Sequence, residues 1–476
     1  MYSFIISIIV LILGYVIYGK ISERIFGIDS NRATPAITHP DGVDYVQLPW
    51  WRVFLIQFLN IAGLGPIFGA IMGVMFGPAS FLWIVFGTIF AGGVHDYFSG
   101  MMSVRNNGSS LPELVGQELG NGIKQFMRIF TLVLMILVGA VFISGPAGLL
   151  ANLTLNSINV TWWIIIVFAY YMLATLLPID KIIGKIYPVF GFALLFMAVG
   201  IFIAIIVNKA PIPEITSGLG NLHPKKLPIF PIMFVSIACG AISGFHATQS
   251  PLMARCIENE KYGRRIFYGS MVAEGIVALI WAAAASSFFG SIEGLQHFVA
   301  DLAPTVNKPA IVVDLISKTW LGPVGGILAL LGVVAAPLTS GDTALRSARL
   351  IAADFLHYDQ KPIKNRLIIS IPIFILTFVI LQMNFDILWR YFAWCNQTLA
   401  VFTLWTITVY LAKNNKFHWI SLIPAMFMTA VTTSYIFIAP EGFHFSATIS
   451  VSIGVSTSLG LFMLFFFKSK QFNKVQ

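Results

Sequence analysis

Long apolar stretches set the terms for this chain. About thirteen of them follow one another, each of roughly 17–26 residues, and short connections between them hold nearly all the charge. A hydrocarbon core ~30 Å thick takes ~20 apolar residues as helix. The runs at 3–19, 52–76, 79–104, 125–150, 162–178, 187–207, 229–253, 267–290, 322–345, 367–383, 388–412, 418–438 and 445–467 therefore predict an all-α polytopic membrane protein with about 13 transmembrane helices. Composition agrees: 57% of residues are hydrophobic and 10% charged, against about 25% charged in soluble domains. The run at 3–19 lacks a basic leader and a cleavage site, so it is expected to be a retained span.

The net charge of +9 does not mark a nucleic-acid protein, because the basic residues sit in the connections and set topology. The connections 20–52, 105–128, 181–185, 255–265, 346–366, 413–416 and the tail hold 23 of the 29 lysines and arginines. The alternate set holds five: Lys209, Lys225, Lys226, Lys308 and Lys318. The positive-inside rule then places the N-terminus outside and the C-terminus in the cytoplasm. Cys239, Cys256 and Cys395 have no metal or redox spacing. No HExxH, GxSxG or P-loop pattern is present. The external connection 291–321 reads as part helical, either a lid or a surface helix.

Two runs are interrupted. In "RVFLIQFLNIAGLGPIFGAIMGVMF", Gly63-Leu64-Gly65-Pro66 breaks the span near mid-membrane, where Pro66 removes a donor and disfavours helix before it. Gly65, Gly69, Gly73 and Gly77 also form a smooth face for close helix packing. In "CGAISGFHATQSP", Gly240, Ser243 and Gly244 loosen a second helix, with Pro251 beyond. Broken backbone at that depth must be buried in protein or line a cavity. The breaks open two blocks of five spans, 52–207 and 229–412, which enter the membrane with opposite polarity. The run 3–19 precedes them, and two spans in 418–467 follow, all within one transmembrane domain. Paired interrupted helices in inverted halves mark the substrate site of secondary transporters. Gly63, Leu64, Gly65, Gly240, Ser243, Gly244, His246 and Gln249 are the candidate substrate residues.

Ionisable groups inside spans are functional candidates, since each is costly to insert. His95 and Asp96 read as a proton relay or gate, or as an ordinary Asp–His or Asp–Arg105 pair near the interface. Glu274 is either a proton carrier or a structural partner of a neighbouring base. Asp342 is a further relay candidate, or an i,i+4 partner of Arg346. Thr339 and Ser340, after Pro337 and at roughly the depth of Ala62 and Gly63, offer hydroxyl oxygens beside freed carbonyls to a small hard cation.

The stretches "NIAGLGPIFGAIMG", "FLWIVFGTIFAGGVHDYFSGMMSVRNNGSSLPELVG", "CGAISGFHATQSPLMARC", "NEKYGRRIFYGSMVAEGIVALIWAAAA" and "LTSGDTALRSARL" resemble the carbon starvation protein A (CstA) family of bacterial inner-membrane transporters, over roughly residues 20–355. Less is recognisable beyond about residue 365. The resemblance implies uptake of peptides, or of pyruvate or another small carboxylate, by symport with Na⁺ or H⁺ and without a cofactor. It also implies a LeuT-like five-plus-five inverted repeat, in which Ala62, Gly63, Thr339 and Ser340 match a cation site of sodium-coupled relatives. The span 187–207 has no lysine to fill that site. Two other classes compete: a nutrient sensor on a transporter fold, and an intramembrane enzyme using Ser243, His246 and Asp342. Only nine residues follow Phe467, too few for a signalling tail. The oligomeric state is left open.

Overall fold

The computed structural model of the chain describes residues 1–154, 157–176, 183–303, 307–360, 362–383, 385–440 and 442–472. Its helices are α1 (Tyr2–Phe26), α2 (Trp50–Ile61), α3 (Gly65–Phe76), α4 (Ala79–Arg105), α5 (Leu111–Leu119), α6 (Asn121–Leu153), α7 (Val160–Leu176), α8 (Ile183–Val207), α9 (229–236), α10 (His246–Ala254), α11 (Glu260–Phe288), α12 (Ile292–Asp301), α13 (Lys308–Ala329), α14 (Ala335–Leu356), α15 (Ile363–Ile380), α16 (Phe385–Lys413), α17 (Trp419–Ile438) and α18 (Ala447–Phe472). Among the described residues, eight helices are long and apolar enough to cross a membrane, and α2 with α3 forms a further, bent span. Of the other expected crossings, 388–412 is a single 29-residue helix, α16, and the rest are made of shorter or kinked pieces. The expected end of the run 162–178 and the start of the connection 181–185 lie outside the described residues, as do residues 304–306 of the external connection and the end of the tail.

Burial sorts the helices into inner and outer. In α4 and α11, 83% of the apolar window is buried, against 28% in α1 and 22% in α18. α1, α8, α15 and α18 turn Ile, Leu, Val and Phe side chains outward, as a lipid-facing shell requires. α4 and α11 form the centre with α2, α3, α6, α10 and α14.

Both expected breaks are present, with shifted edges. The first is Ala62–Leu64, and the chain bends by 52° between α2 and α3. Gly65 and Pro66 start α3 rather than lie in the break. That suits proline, whose missing amide N–H costs nothing in a first helical turn. The second break runs from Ile237 to Phe245. His246 opens α10, so Gln249 and Pro251, read as part of a loosened segment, are helical.

The connection 27–49 is ordered by contacts across the sequence. Leu48 N–H donates to the Cys256 carbonyl at 3.1 Å, and Thr34 Oγ1 donates to the Ile257 carbonyl at 2.6 Å. At the other end of α1, the amides of Tyr2 and Ser3 donate to the Glu214 carboxylate at 2.9 and 2.8 Å. This acidic cap satisfies first-turn N–H groups that have no partner within the helix. The external connection 291–321 is part helical, as expected: it contains α12, and α13 runs through it to a kink at Gly322, where φ is 60°.

Candidate functional site

The two breaks lie against each other. A Cβ on Gly65 would fall 2.3 Å from the Cys239 side chain, one on Gly69 2.8 Å from the Ser236 carbonyl, and one on Gly73 2.0 Å from Ile237. The glycine face of α3 is thus spent on close packing against the second broken segment. Gly77 ends that face with φ 109°. On the other side of the first break, a Cβ on Gly63 would stand 3.1 Å from both Ser340 Oγ and the Phe142 ring. Ala62 and Leu64 beside it are fully buried.

Nine residues without regular structure at this depth need other partners for their amides and carbonyls, and α16 supplies three of them where the segment's own turns do not. Asn396 Oδ1 accepts from Ser243 Oγ at 3.0 Å and from Phe245 N–H at 2.6 Å. The Asn396 carbonyl accepts from Gly244 N–H at 3.2 Å, and Gln397 Nε2 donates to the Ile242 carbonyl at 2.9 Å. From α4, Thr88 Oγ1 donates to the Gly240 carbonyl at 3.1 Å. A π-helical stretch at Gly87–Gly92 brings α4 so near that a Cβ on Gly92 would meet the Ala241 carbonyl at 2.3 Å. Asn396, Gln397 and Thr88 escaped the sequence reading. The visible signal was "CNQT", a polar run inside an apolar span.

The fit at Gly244 gives a direct test. A Cβ there would sit 2.3 Å from the Asn396 carbonyl oxygen and 2.4 Å from the Ala400 nitrogen, backbone atoms that cannot rotate away. Overpacking of this kind costs about 1–3 kcal/mol. Gly244→Ala is expected to lower the melting temperature of the purified protein by several degrees. Gly148→Ala, whose new methyl would meet nothing within 4 Å, is the matched control. Equal melting temperatures would remove the close-packing argument.

Four ionisable residues converge where the second break ends. His95 and Asp96 come from α4, His246 from the first position of α10 and Glu274 from α11. All four are fully buried. Asp96 accepts from His95 Nδ1 at 2.7 Å through one oxygen and from His246 Nδ1 at 2.8 Å through the other. His246 Nε2 then lies 3.4 Å from Glu274 Oε2. With its Nδ1–H committed to Asp96, a neutral His246 presents Nε2 as an acceptor. Glu274 complements that nitrogen only when its carboxyl carries a proton, or as a carboxylate once His246 is doubly protonated. One proton can therefore sit at either Glu274 Oε2 or His246 Nε2.

The other candidates divide. Ser340 Oγ donates to the Leu59 and Ala336 carbonyls, both at 3.0 Å, so it does reach the end of α2. Thr339 Oγ1 turns back to the Ala336 carbonyl of its own helix at 2.7 Å, and is not brought to Ala62 or Gly63 by that bond. Asp342 belongs to neither group: its Oδ2 accepts from Tyr187 of α8 at 2.5 Å. Gln249 faces α14, with Nε2 2.9 Å from Thr248 Oγ1 and 3.5 Å from Ser347 Oγ. The hydrogen bonds of Ser243, His246 and Asp342 run to Asn396, Asp96 and Tyr187 rather than to one another, so they do not line up as a nucleophile, base and orienter. Among the described residues no cluster of three or more His, Cys, Asp or Glu is arranged to hold a metal ion.

Toward the connection 27–49, α14 ends in a second charged group. Asp44, 3% exposed, lies 3.5 Å from Arg346 Nη1 and 3.6 Å from Arg349 Nη2. Arg255, after α10, donates to the Gly108 carbonyl at 2.9 Å and covers the Tyr45 ring at 5.0 Å. Burial alone would push the Asp44 carboxyl up. The guanidiniums of Arg349, Arg346, Arg255 and Arg366 outweigh it and hold the group below the usual carboxylate value.

Comparison with known proteins adds three kinds of likeness. The sequence family described as carbon starvation protein CstA matches residues 1–160, 146–313 and 294–435. An uncharacterized membrane protein of Haemophilus influenzae is 45% identical over 347 residues, 62% of this chain and 94% of its own. The peptide transporter CstA of Campylobacter jejuni is 25% identical, covering 90% of this chain and 79% of the relative. The pyruvate/proton symporter BtsT of Escherichia coli is 28% identical over 59% of this chain and 48% of the relative. Among solved structures, a manganese transporter of Eremococcus coleocola superposes with a TM-score of 0.55 at 14% identity, covering 91% of this chain and 99% of that one. MhsT in complex with L-phenylalanine gives 0.53 at 13% identity, over 85% and 98%. At such identities these structures establish a shared transporter fold, not a shared cargo.

Proposed function

The chain belongs to the carbon starvation protein CstA family, and from that premise we propose that it is a proton-coupled secondary transporter for peptides, working by alternating access. The observation that carries the reading is the chain His95–Asp96–His246–Glu274, buried at the point where the second broken helix resumes. Acid–imidazole chains inside membrane helices serve as proton relays, and His246 links this one directly to the broken segment. Substrate lies between the breaks, near Gly63–Gly65 and Gly240–Gly244. Protonation of Glu274 or His246 would then alter how α10 and α11 hold that segment. The relatives named as peptide transporters support the substrate class. The pyruvate/proton symporter among them supports small carboxylates as the second reading.

In this reading α2–α8 form the first five-crossing half, and the segments from α9 through α16 form the inverted second half. α1 precedes them, and α17 and α18 follow. The protein sits in the bacterial inner membrane with its N-terminus outside and its C-terminus in the cytoplasm. The bond between the start of α1 and Glu214 supports placing the N-terminus on the same side as the connection 208–228. Sodium remains the rival ion, at Ser340 and the carbonyls near Ala62 and Gly63.

The test is uptake of labelled peptides and pyruvate into proteoliposomes under imposed gradients. Accumulation is expected to follow an inward proton gradient, to persist when choline replaces sodium, and to collapse with a protonophore. Loss on sodium removal would move the coupling site to Ser340. Absence of gradient-driven uptake across the substrate panel would overturn the proposal.

A further inference from the structure

Away from the breaks, the outer surface between α1, α2, α8 and α11 is indented by an apolar groove of about 640 Å³. That volume falls in the ~300–1,000 Å³ range of small-molecule sites. Its floor runs from Trp50 and Arg265 past Tyr15 and Phe54 to Phe192 and Ile276. Along α11, the distance from Arg265 to Ile276 is roughly 16 Å at a rise of ~1.5 Å per residue, a length suited to an acyl chain. Phe192 and Ile12 on its walls are 58% and 49% exposed, so the trough opens sideways.

One end of the trough is charged. The exposed Arg265 guanidinium stands 5.1 Å from the Trp50 ring centre and 5.9 Å from that of Tyr262. Arg52, which follows the groove-lining Trp51 in sequence, lies 5.2 Å from the centre of that ring. Elsewhere on this face arginines are paired, Arg264 with Glu23 and Arg105 with Glu260. Among the described residues, Arg265 and Arg52 have no carboxylate partner. An unpaired guanidinium presents a planar fork of donors matched to a phosphate. Tryptophan and tyrosine beside it are the residues that settle at headgroup level, and basic pockets between membrane helices bind anionic headgroups.

We propose that this groove is a binding site for one anionic glycerophospholipid, with its phosphate on Arg265 and one acyl chain along Phe54 to Ile276. The two halves of the site discriminate together. A free phosphate leaves the apolar trough empty, whereas a neutral or zwitterionic lipid fills the trough but leaves the Arg265 charge without net compensation. The site contains no residue of either break, and the proposal does not rest on the transport reading.

The test uses the full chain, purified in mild detergent and examined by native mass spectrometry with added phosphatidylglycerol or phosphatidylcholine. The expected result is one retained phosphatidylglycerol per chain. R265Q should reduce the bound fraction about tenfold, the factor that follows from losing one charge-assisted contact. Ala273→Phe, which fills the trough without touching the charge, should cause a comparable loss, while R24Q should not. Retention in both R265Q and Ala273→Phe at the wild-type level would overturn the proposal, as would equal retention of phosphatidylcholine. A dimer that Ala273→Phe dissociates, with no lipid bound, would also overturn it and assign the groove to a second copy.

Discussion

An Asp96→Asn variant is expected to lose gradient-driven accumulation by about 100-fold while still exchanging labelled for unlabelled substrate. Asp96 is the only described carboxylate that both His95 and His246 meet directly, one on each oxygen. Breaking a fully buried charged pair costs about 3–5 kcal/mol. Even the smaller figure, falling on the proton-loaded state alone, slows the driven cycle by about 100-fold. Exchange at equal proton potential needs the substrate site to open on both sides, but no net proton movement. Glu274→Gln should behave in the same way, because its amide can no longer hand a proton to His246 Nε2. Proteoliposome uptake with and without a gradient, alongside counterflow, separates the outcomes. Wild-type accumulation in Asp96→Asn would remove the chain from the coupling path. Parallel loss of exchange and accumulation would reassign it to substrate binding or to folding.

Asp44→Asn is expected to destabilise the protein by about 3–5 kcal/mol at neutral pH, since it leaves Arg346 and Arg349 buried without their carboxylate. The pH dependence follows from the sign of the shift at Asp44. The arginines overcome the upward push of burial and hold this carboxyl below its ordinary value. Its stabilising contribution is therefore complete above the unfolded value of ~3.9. It fades as pH falls from there through the lower folded value. Thermal unfolding of both proteins across that range should show a deficit that is full at pH 7 and shrinks in acid. A variant that melts with the wild type at pH 7 would show that the arginines find other partners.

Much of the architecture was readable because it is written in local pattern. Apolar runs of bilayer length, the Gly–Pro interruption after Ile61 and the small-residue cluster after Ala238 each report on their own stretch of chain. His95, Asp96, His246 and Glu274 stood out one by one, since each is costly in lipid. Their meeting did not, because it joins α4 to α10 and α11 across 150 residues or more, and no period in the sequence encodes that distance. The sequence reads Gln249 as part of the loosened segment that ends at Pro251, yet α10 runs through Pro251, its sixth residue, with the loss of one backbone bond. Thr339 and Ser340 are adjacent, and side chains one residue apart on a helix point about 100° apart. Only one of them could face the end of α2. Asp44 carries no signature by itself, because a loop aspartate acts on arginines far along the chain, whereas Asn396 shows in the polar run "CNQT" without showing its partner.

The glycine face that fastens α3 to the second broken segment divides the labour of movement unequally. That half of the first broken span is bolted to the second broken segment, whereas α2 packs on α8, α10, α11 and α14. When α2 tilts on those neighbours, it is the lever and Ala62–Leu64 the fulcrum. An arm of 12 residues is ~18 Å long at ~1.5 Å per residue. A tilt of ~10° at the fulcrum would sweep its far end by ~3 Å while hardly disturbing the glycine contacts. Trp50 rides on that far end and also forms the lip of the lipid groove. A swing of the lever would open or pinch the groove's mouth, so whatever fills that groove would resist or favour the tilt of α2.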